Sequence, residues 1–203
     1  MQLVLDWDGT VTEQDTLALV VEWFGDGATY RRNGCLMGRS LTHDQALACS
    51  LATIRAPLPE VVDRLRDTVR LRPGLRELVE RHRPLVVSSG FHELIEPVLA
   101  REGIEVELLA NHVDADSDGW QVRFRDVAVC PAFGEPCKRS ALPSGPVAYV
   151  GDGYSDRCAA LAATRVFATG GLAEWLASRD VAYERFGNLY DVLAALEARA
   201  APA

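Results

Sequence analysis

Apolar and polar positions along the 203-residue chain fall into two kinds of stretch. Short, mostly apolar runs occur at Gln2–Leu5, Leu85–Ser88, Glu105–Leu109, Val147–Val150 and Arg165–Ala168, the pattern of strands buried on both faces. Amphipathic, helix-period segments stand at Phe91–Ala100, Tyr154–Ala163 and Leu189–Ala198. This alternation predicts an α/β fold with a doubly wound, mostly parallel sheet.

From about Glu13 to Arg72 the strand pattern is missing. Thr42 and Gln45 have the spacing of a reciprocal helix cap. Leu58, Val61, Val62 and Leu65 then repeat at i, i+3, i+4 and i+7 behind Pro57 and Pro59, one face of a further helix. Glycines at 25, 27, 34 and 38 predict that the earlier part breaks into short pieces. Residues 13–72 therefore read as a small helical cap inserted into a core made of residues 1–12 and 73–203, with Pro73-Gly74 marking the return. The alanine-rich end from Ala194 predicts a helix fraying into a disordered tail.

Composition narrows the function. At 48% hydrophobic and 25% charged residues, the chain can bury a core. Its net charge of −8 lacks the basic footprint of a nucleic-acid or anionic-membrane binder. No apolar stretch approaches the roughly 20 residues that span a bilayer, and a strand starting at Gln2 leaves no leader segment. Cysteines 35, 49, 130, 137 and 158, odd in number and scattered, fit reduced thiols in a cytoplasmic protein. Cys130 and Cys137 could supply half a zinc site. Neither belongs to a C-x-x-C and no histidine lies near, so both read as unligated.

The candidate chemistry sits where strands end. The run Leu3-Val4-Leu5 stops at Asp6-Trp7-Asp8-Gly9-Thr10. Two carboxylates two positions apart repel, burial raises the cost of charging both, and a divalent cation is the usual compensation. Ser88-Ser89-Gly90 closes the second strand, Gly151-Asp152-Gly153 the fourth, with Asp156 just beyond and Lys138 opening a short helical segment between. Ligands of open α/β sheets bind beyond the carboxyl ends of the strands, so these groups are expected in one crevice.

Each suits phosphoryl transfer. Asp6 is the candidate nucleophile on phosphorus. Mg²⁺ held by Asp6, Asp152 and the Asp8 carbonyl would neutralise charge. Lys138, Ser88 and the backbone about Ser89 and Gly90 would hold the phosphate oxygens. Asp8 would act as general acid and then general base, and Asp156 would orient Lys138 or a metal-bound water. Blander readings exist: a solvated turn for Asp6 and Asp8, a helix cap for Ser89, a surface lysine for Lys138. Asp114–Gly119 imitates an EF-hand, but Arg125 occupies the twelfth position that needs a glutamate, leaving a polar hairpin turn. His43, His82, His92 and His112 lack ligand spacing and read as surface or supporting residues.

DWDGT, VVSSG, the lysine of EPCKR and GDGYSD resemble, in order and spacing, the four motifs of the haloacid dehalogenase-like superfamily of phosphohydrolases, over nearly the whole chain. The resemblance implies a Rossmann-like core, Mg²⁺, an aspartyl-phosphate intermediate and the roles given above, with Thr10 and Asp15 added at the phosphate and substrate. The helical insertion resembles the cap of the phosphoserine-phosphatase-like branch, which also holds the phosphatase of 2-hydroxy-3-keto-5-methylthiopentenyl-1-phosphate. In phosphoserine phosphatases an early acidic residue and a cap arginine grip the amino-acid end. Asp15 and Met37 fit that pattern, but Ser50 stands where the arginine belongs and Arg55 is out of register. A carboxylate without its bidentate partner binds poorly.

The resemblance thus implies a Mg²⁺-dependent phosphatase of a small phosphorylated metabolite, with methionine salvage favoured over phosphoserine. A phosphotransferase or phosphomutase would use the same aspartyl-phosphate. A binding module that lost turnover is disfavoured, because every polar group the mechanism needs is present. No nucleic-acid or membrane partner is expected, and the chain is expected as a monomer or homodimer.

Overall fold

The structure, a computed structural model, describes residues 1–130 and 134–198; the expected frayed tail beyond Ala198 lies outside them. The strands are β1 (Gln2–Leu5), β2 (Leu85–Phe91), β3 (Glu107–Asp114), β4 (Gln121–Arg123), β5 (Val147–Gly151), β6 (Arg165–Ala168) and β7 (Glu184–Arg185). They form one sheet in the order β4-β3-β2-β1-β5-β6-β7, parallel except for the β3–β4 hairpin. That is the doubly wound α/β sheet the pattern predicts.

Alternation within the apolar strands feeds two cores. Leu3, Leu5, Val86 and Val150 join one buried cluster, while Val4, Leu85, Val87 and Tyr149 join another, because successive side chains leave opposite faces of a strand. Helices α5 (Leu75–His82), α6 (His92–Arg101) and α9 (Leu189–Ala198) supply Leu78, Ile95 and Val192 to the first; α7 (Arg157–Ala162) and α8 (Gly170–Ala177) supply Ala159 and Leu172 to the second.

The chain builds outward from β1 through β2 to β3, then returns to β5 on the other side. This reversal makes β1 the switch point of the sheet, the place where such folds open a crevice. Leu5 pairs in register with Val86 and with Val150, so the chain leaves β1, β2 and β5 side by side.

Between β1 and β2, ahead of α5, stand α1 (Thr16–Phe24), α2 (Gly27–Leu36), α3 (His43–Leu51) and α4 (Leu58–Thr68). Side-chain caps on Asp15 and Asp26 open the first two, and the Thr42–Gln45 reciprocal cap opens the third, satisfying amides that a helix start leaves unpaired. Gly25 ends α1, but Gly27 is the first residue of α2 and Gly34 lies inside α2 without interrupting it. Leu51, Ile54, Val61 and Leu65 from this segment share the buried cluster of the sheet. Trp120, beside β4, donates its indole N–H to the Ala56 carbonyl at 3.0 Å. The acidic run before it is the expected hairpin turn, closed by Asp116 accepting from the Asp118 amide at 3.0 Å. No helix of the described residues is long and apolar enough to cross a membrane.

Candidate active site

Three strand ends and one loop meet above β1. Lys138, which starts a short 3₁₀ turn, is 2% exposed. Its ammonium donates to Asp6 and, at 2.7 Å, to Asp156 Oδ1. Asp156 is saturated: Oδ1 also accepts from the Tyr149 hydroxyl at 2.7 Å, and Oδ2 from the Asp152 and Gly153 amides, each at 2.9 Å. Burial alone would raise its pKa, yet the Lys138 charge and these donors hold it below the usual carboxylate range. Lys138 stays charged despite its burial, held by the two carboxylates.

Asp6 and Asp152 are less well compensated. Burial and the charge of Asp156 push Asp6 well above the usual value, against the pull of Lys138, and the same two causes bring Asp152 up to about 6. Oxygens of Asp6, Asp152 and Asp156 all lie within 4.8 Å of one another. Three carboxylates around one ammonium leave a surplus of two negative charges, and only Asp6 and Asp152 retain oxygens not taken by donors. A hard divalent cation fits that deficit and that donor set.

Close approach explains the glycine of the first motif. Gly9 has φ of +71°, and a Cβ there would stand 2.3 Å from Asp152 Oδ2. Thr10, fully buried, aims its hydroxyl at Asp152 Oδ1 from 3.4 Å; it touches the acid rather than the open crevice. Arg72 fixes the loop from behind, donating to the carbonyls of Gly9 and Thr10 at 2.7 and 2.9 Å.

Asp8 turns the other way. Its Oδ1 accepts from the amide of Thr16 at 2.8 Å and from the Thr16 hydroxyl. Burial first, then the charge of Asp15, brings it up to about 7 against those hydrogen bonds. A Cβ on Gly90 would lie 3.0 Å from Ser88 Oγ and 3.3 Å from Asp8 Oδ2, so the bare backbone at 90 keeps space open beside Asp8. Ser88 is 1% exposed and accepts from the Gly90 amide at 2.8 Å. Ser89 does not cap the next helix: β2 runs on, and Phe91 takes the cap position without a side-chain bond.

A cavity of about 310 Å³ opens over these groups. Asp6, Asp8, Ser89, Gly90, Lys138 and Asp152 line it from the sheet side, and Asp15, Tyr30, Asn33, Met37 and Ser50 from the helical segment between β1 and β2. Of the residues the sequence singles out, Thr10, Ser88 and Asp156 lie behind the lining. Asp15 caps α1 through the Ala18 amide and accepts from the Tyr30 hydroxyl at 3.0 Å. His43 also reaches the cavity; its amide donates at 2.6 Å to buried Glu135, which accepts from Tyr154 at 2.9 Å as well. His92 and His112 instead stack on each other beside Glu96 and Glu93.

Tyr149, Arg72 and Glu135 escape a reading of the sequence. A tyrosine in an apolar strand three residues before an aspartate was the one available signal; the other two carry none.

The chain is 28% identical to polyol phosphate phosphatase of Saccharomyces cerevisiae over 95% of its own length and 90% of the relative's. It is 29% identical to 2-hydroxy-3-keto-5-methylthiopentenyl-1-phosphate phosphatase of Geobacillus kaustophilus, over 97% and 96%. In fold it matches a phosphoserine phosphatase solved as a phospho-aspartyl intermediate analogue, with TM-score 0.69, 17% identity and coverage of 95% and 97%. A family model of haloacid dehalogenase-like hydrolases matches residues 3–161, and the strand-end acids and buried lysine all fall within that stretch. The chain belongs to the haloacid dehalogenase-like hydrolases.

Proposed function

We propose that the chain is a Mg²⁺-dependent phosphatase that hydrolyses a small, uncharged-tailed phosphate monoester through an aspartyl-phosphate on Asp6. The observation that carries this reading is the convergence of Asp6, Asp8, Lys138 and Asp152 on one cavity wall. One Asp6 oxygen faces Lys138; the other attacks phosphorus, and the bond to the leaving oxygen breaks as Asp8 supplies a proton. Asp8 then takes a proton from the water that attacks the phosphoryl group, freeing phosphate and restoring Asp6. An Asp8 that ionises near neutral pH can serve in both directions. Asp6 and Asp152 would hold Mg²⁺, which neutralises phosphate charge when bound. Ser89 and Gly90, on the cavity wall, would receive phosphate oxygens, with Ser88 bracing the Gly90 amide.

Residues 13–72 act as the cap in this reading. Their helices roof the cavity and would exclude bulk water, and Glu135 ties the start of α3 to the core. The cavity's lysine and arginine are Lys138 and Arg31. Arg31 is an exposed residue paired with Glu22, and Arg55 donates to the Ala52 and Ile54 carbonyls instead. Ser50 donates to Ala46 and accepts from Asn33 at 3.2 Å. Nothing there clamps an α-carboxylate; hydroxyl and amide groups suit a hydroxylated tail. Both curated relatives named above are phosphatases of hydroxylated phosphate esters by their names, whereas phosphoserine demands the missing cation.

A phosphate-release screen of the purified protein tests this. Polyol phosphates and 2-hydroxy-3-keto-5-methylthiopentenyl-1-phosphate should give higher kcat/KM than phosphoserine, and EDTA should abolish all turnover until Mg²⁺ is restored. Full activity in EDTA, or phosphoserine as the best substrate, would overturn the reading. Phosphorylated alcohol as the main product in an acceptor trap would instead make it a transferase.

Gly9→Ala should act chiefly on the metal, beside the backbone strain of an alanine at φ +71°. The new methyl displaces Asp152, so the Mg²⁺ concentration for half-maximal activity should rise roughly 10- to 100-fold, read from a Mg²⁺ titration beside an unchanged far-ultraviolet spectrum.

A further inference from the structure

We propose that Cys130, Cys137 and Cys158 form a second metal site, a trithiolate for a thiophilic d¹⁰ ion such as Zn²⁺, distinct from the carboxylate site in the cavity. Their sulfur atoms all lie within 4.8 Å of one another, and Cys130 Sγ is 3.0 Å from Cys158 Sγ. Zn–S bonds of about 2.3 Å in tetrahedral geometry place sulfur atoms about 3.8 Å apart. Each pair therefore needs an adjustment of about 1 Å or less, within the reach of a χ1 change. A disulfide would use two of the three and strand the last.

Three separate pieces of chain deliver these thiols. The Cys130 amide donates to the Glu135 carbonyl at 2.9 Å and the Gly134 amide to the Cys130 carbonyl at 2.7 Å. Gly134 sits at φ +71°, which glycine adopts without strain. Cys137 then leads into the 3₁₀ turn, and Cys158 sits in the first turn of α7. Cys130 and Cys158 are 4% and 3% exposed. Cys137 and Cys158 face a small cavity of about 50 Å³ that also touches His43 and Asp44, room enough for a water at the fourth position.

The two sites sort metals by donor hardness: oxygen atoms on the cavity wall take Mg²⁺, an all-sulfur set takes Zn²⁺ or Cu⁺. Zn²⁺ would displace three thiol protons to solvent and pin the 134–138 loop to α7. The pinned loop carries Lys138, so the ion would brace the buried ammonium without touching substrate.

Cobalt titration of the 203-residue chain, purified reduced and stripped of metal, tests the site. A near-ultraviolet thiolate-to-metal band should grow to saturation at one Co²⁺ per chain, persist in excess Mg²⁺ and vanish on adding Zn²⁺. Cys158→Ser should lose the band, and a Cys35→Ser/Cys49→Ser double variant of the exposed thiols should keep it. Should Cys158→Ser misfold, alkylation of the unmodified chain decides: Zn²⁺ should protect Cys130, Cys137 and Cys158 and leave Cys35 and Cys49 reactive. No band with Co²⁺, uniform alkylation in Zn²⁺, or a Cys130–Cys158 disulfide that persists in the Co²⁺-treated chain would each overturn the proposal.

Discussion

Asp6→Asn should lower phosphate release by on the order of 10⁴-fold or more, the scale set by removing an enzyme's nucleophile, while leaving the fold intact. The amide has the shape of the acid but no anionic oxygen to offer phosphorus. Stability should change little, because two effects oppose each other. The substitution weakens the bond to Lys138, yet it removes a carboxylate that burial and the neighbouring Asp156 already disfavour. Asp8→Asn makes the contrast that identifies the roles. Its steady-state loss should be on the order of 10²–10⁴-fold, and with an aryl phosphate it should show a burst of one phenol per chain. A good leaving group departs without an acid, but the aspartyl-phosphate then waits for a base. Stopped-flow absorbance resolves the burst. An Asp6→Asn protein within tenfold of the parent would end the covalent mechanism, whatever the metal does.

What the sequence disclosed of this site follows from topology. Asp6 and Asp152 could be placed together because continuous apolar runs mark buried parallel strands, and such strands end at a common rim. The register of Leu5 with both Val86 and Val150 realises that. Lys138 was legible only through the order of motifs, since one lysine among polar neighbours carries no periodicity. Tyr149 was hidden because an aromatic residue in an apolar strand reads as core, and its hydroxyl reaches Asp156 only once the 3₁₀ turn at Tyr154–Asp156 folds back. Helix α8 escapes the sequence pattern because it opens on Gly170-Gly171, a pair that reads as a break. β3 runs on to Asp114, beyond the expected Leu109, since the hairpin partner β4 pairs with His112–Asp114. Cys158 joins Cys130 and Cys137 across the whole of β5, a proximity no local spacing encodes.

Lys138→Met should cost about 3–5 kcal/mol of folding stability, the usual penalty for deleting one partner of a buried ion pair, as well as turnover. Methionine fills the aliphatic stem's space but leaves Asp6 and Asp156 facing each other without the ammonium that satisfies both. The two acids should respond differently. Asp156 keeps the Tyr149 hydroxyl and two amides and can stay ionised; Asp6 loses its described hydrogen-bond partner. Adding Mg²⁺ should then recover more stability in the variant than in the parent, because a ligand that binds only the folded chain stabilises it by mass action and the variant's pocket carries one more uncompensated negative charge. Lys138→Arg separates charge from shape. Its planar fork cannot meet two acids converging on a point, so stability should fall less than in Lys138→Met while turnover is still lost. Urea unfolding of the three proteins with and without Mg²⁺ measures each term. A Lys138→Met protein as stable as the parent in the absence of metal would mean that the ammonium's desolvation cancels everything its two carboxylates return.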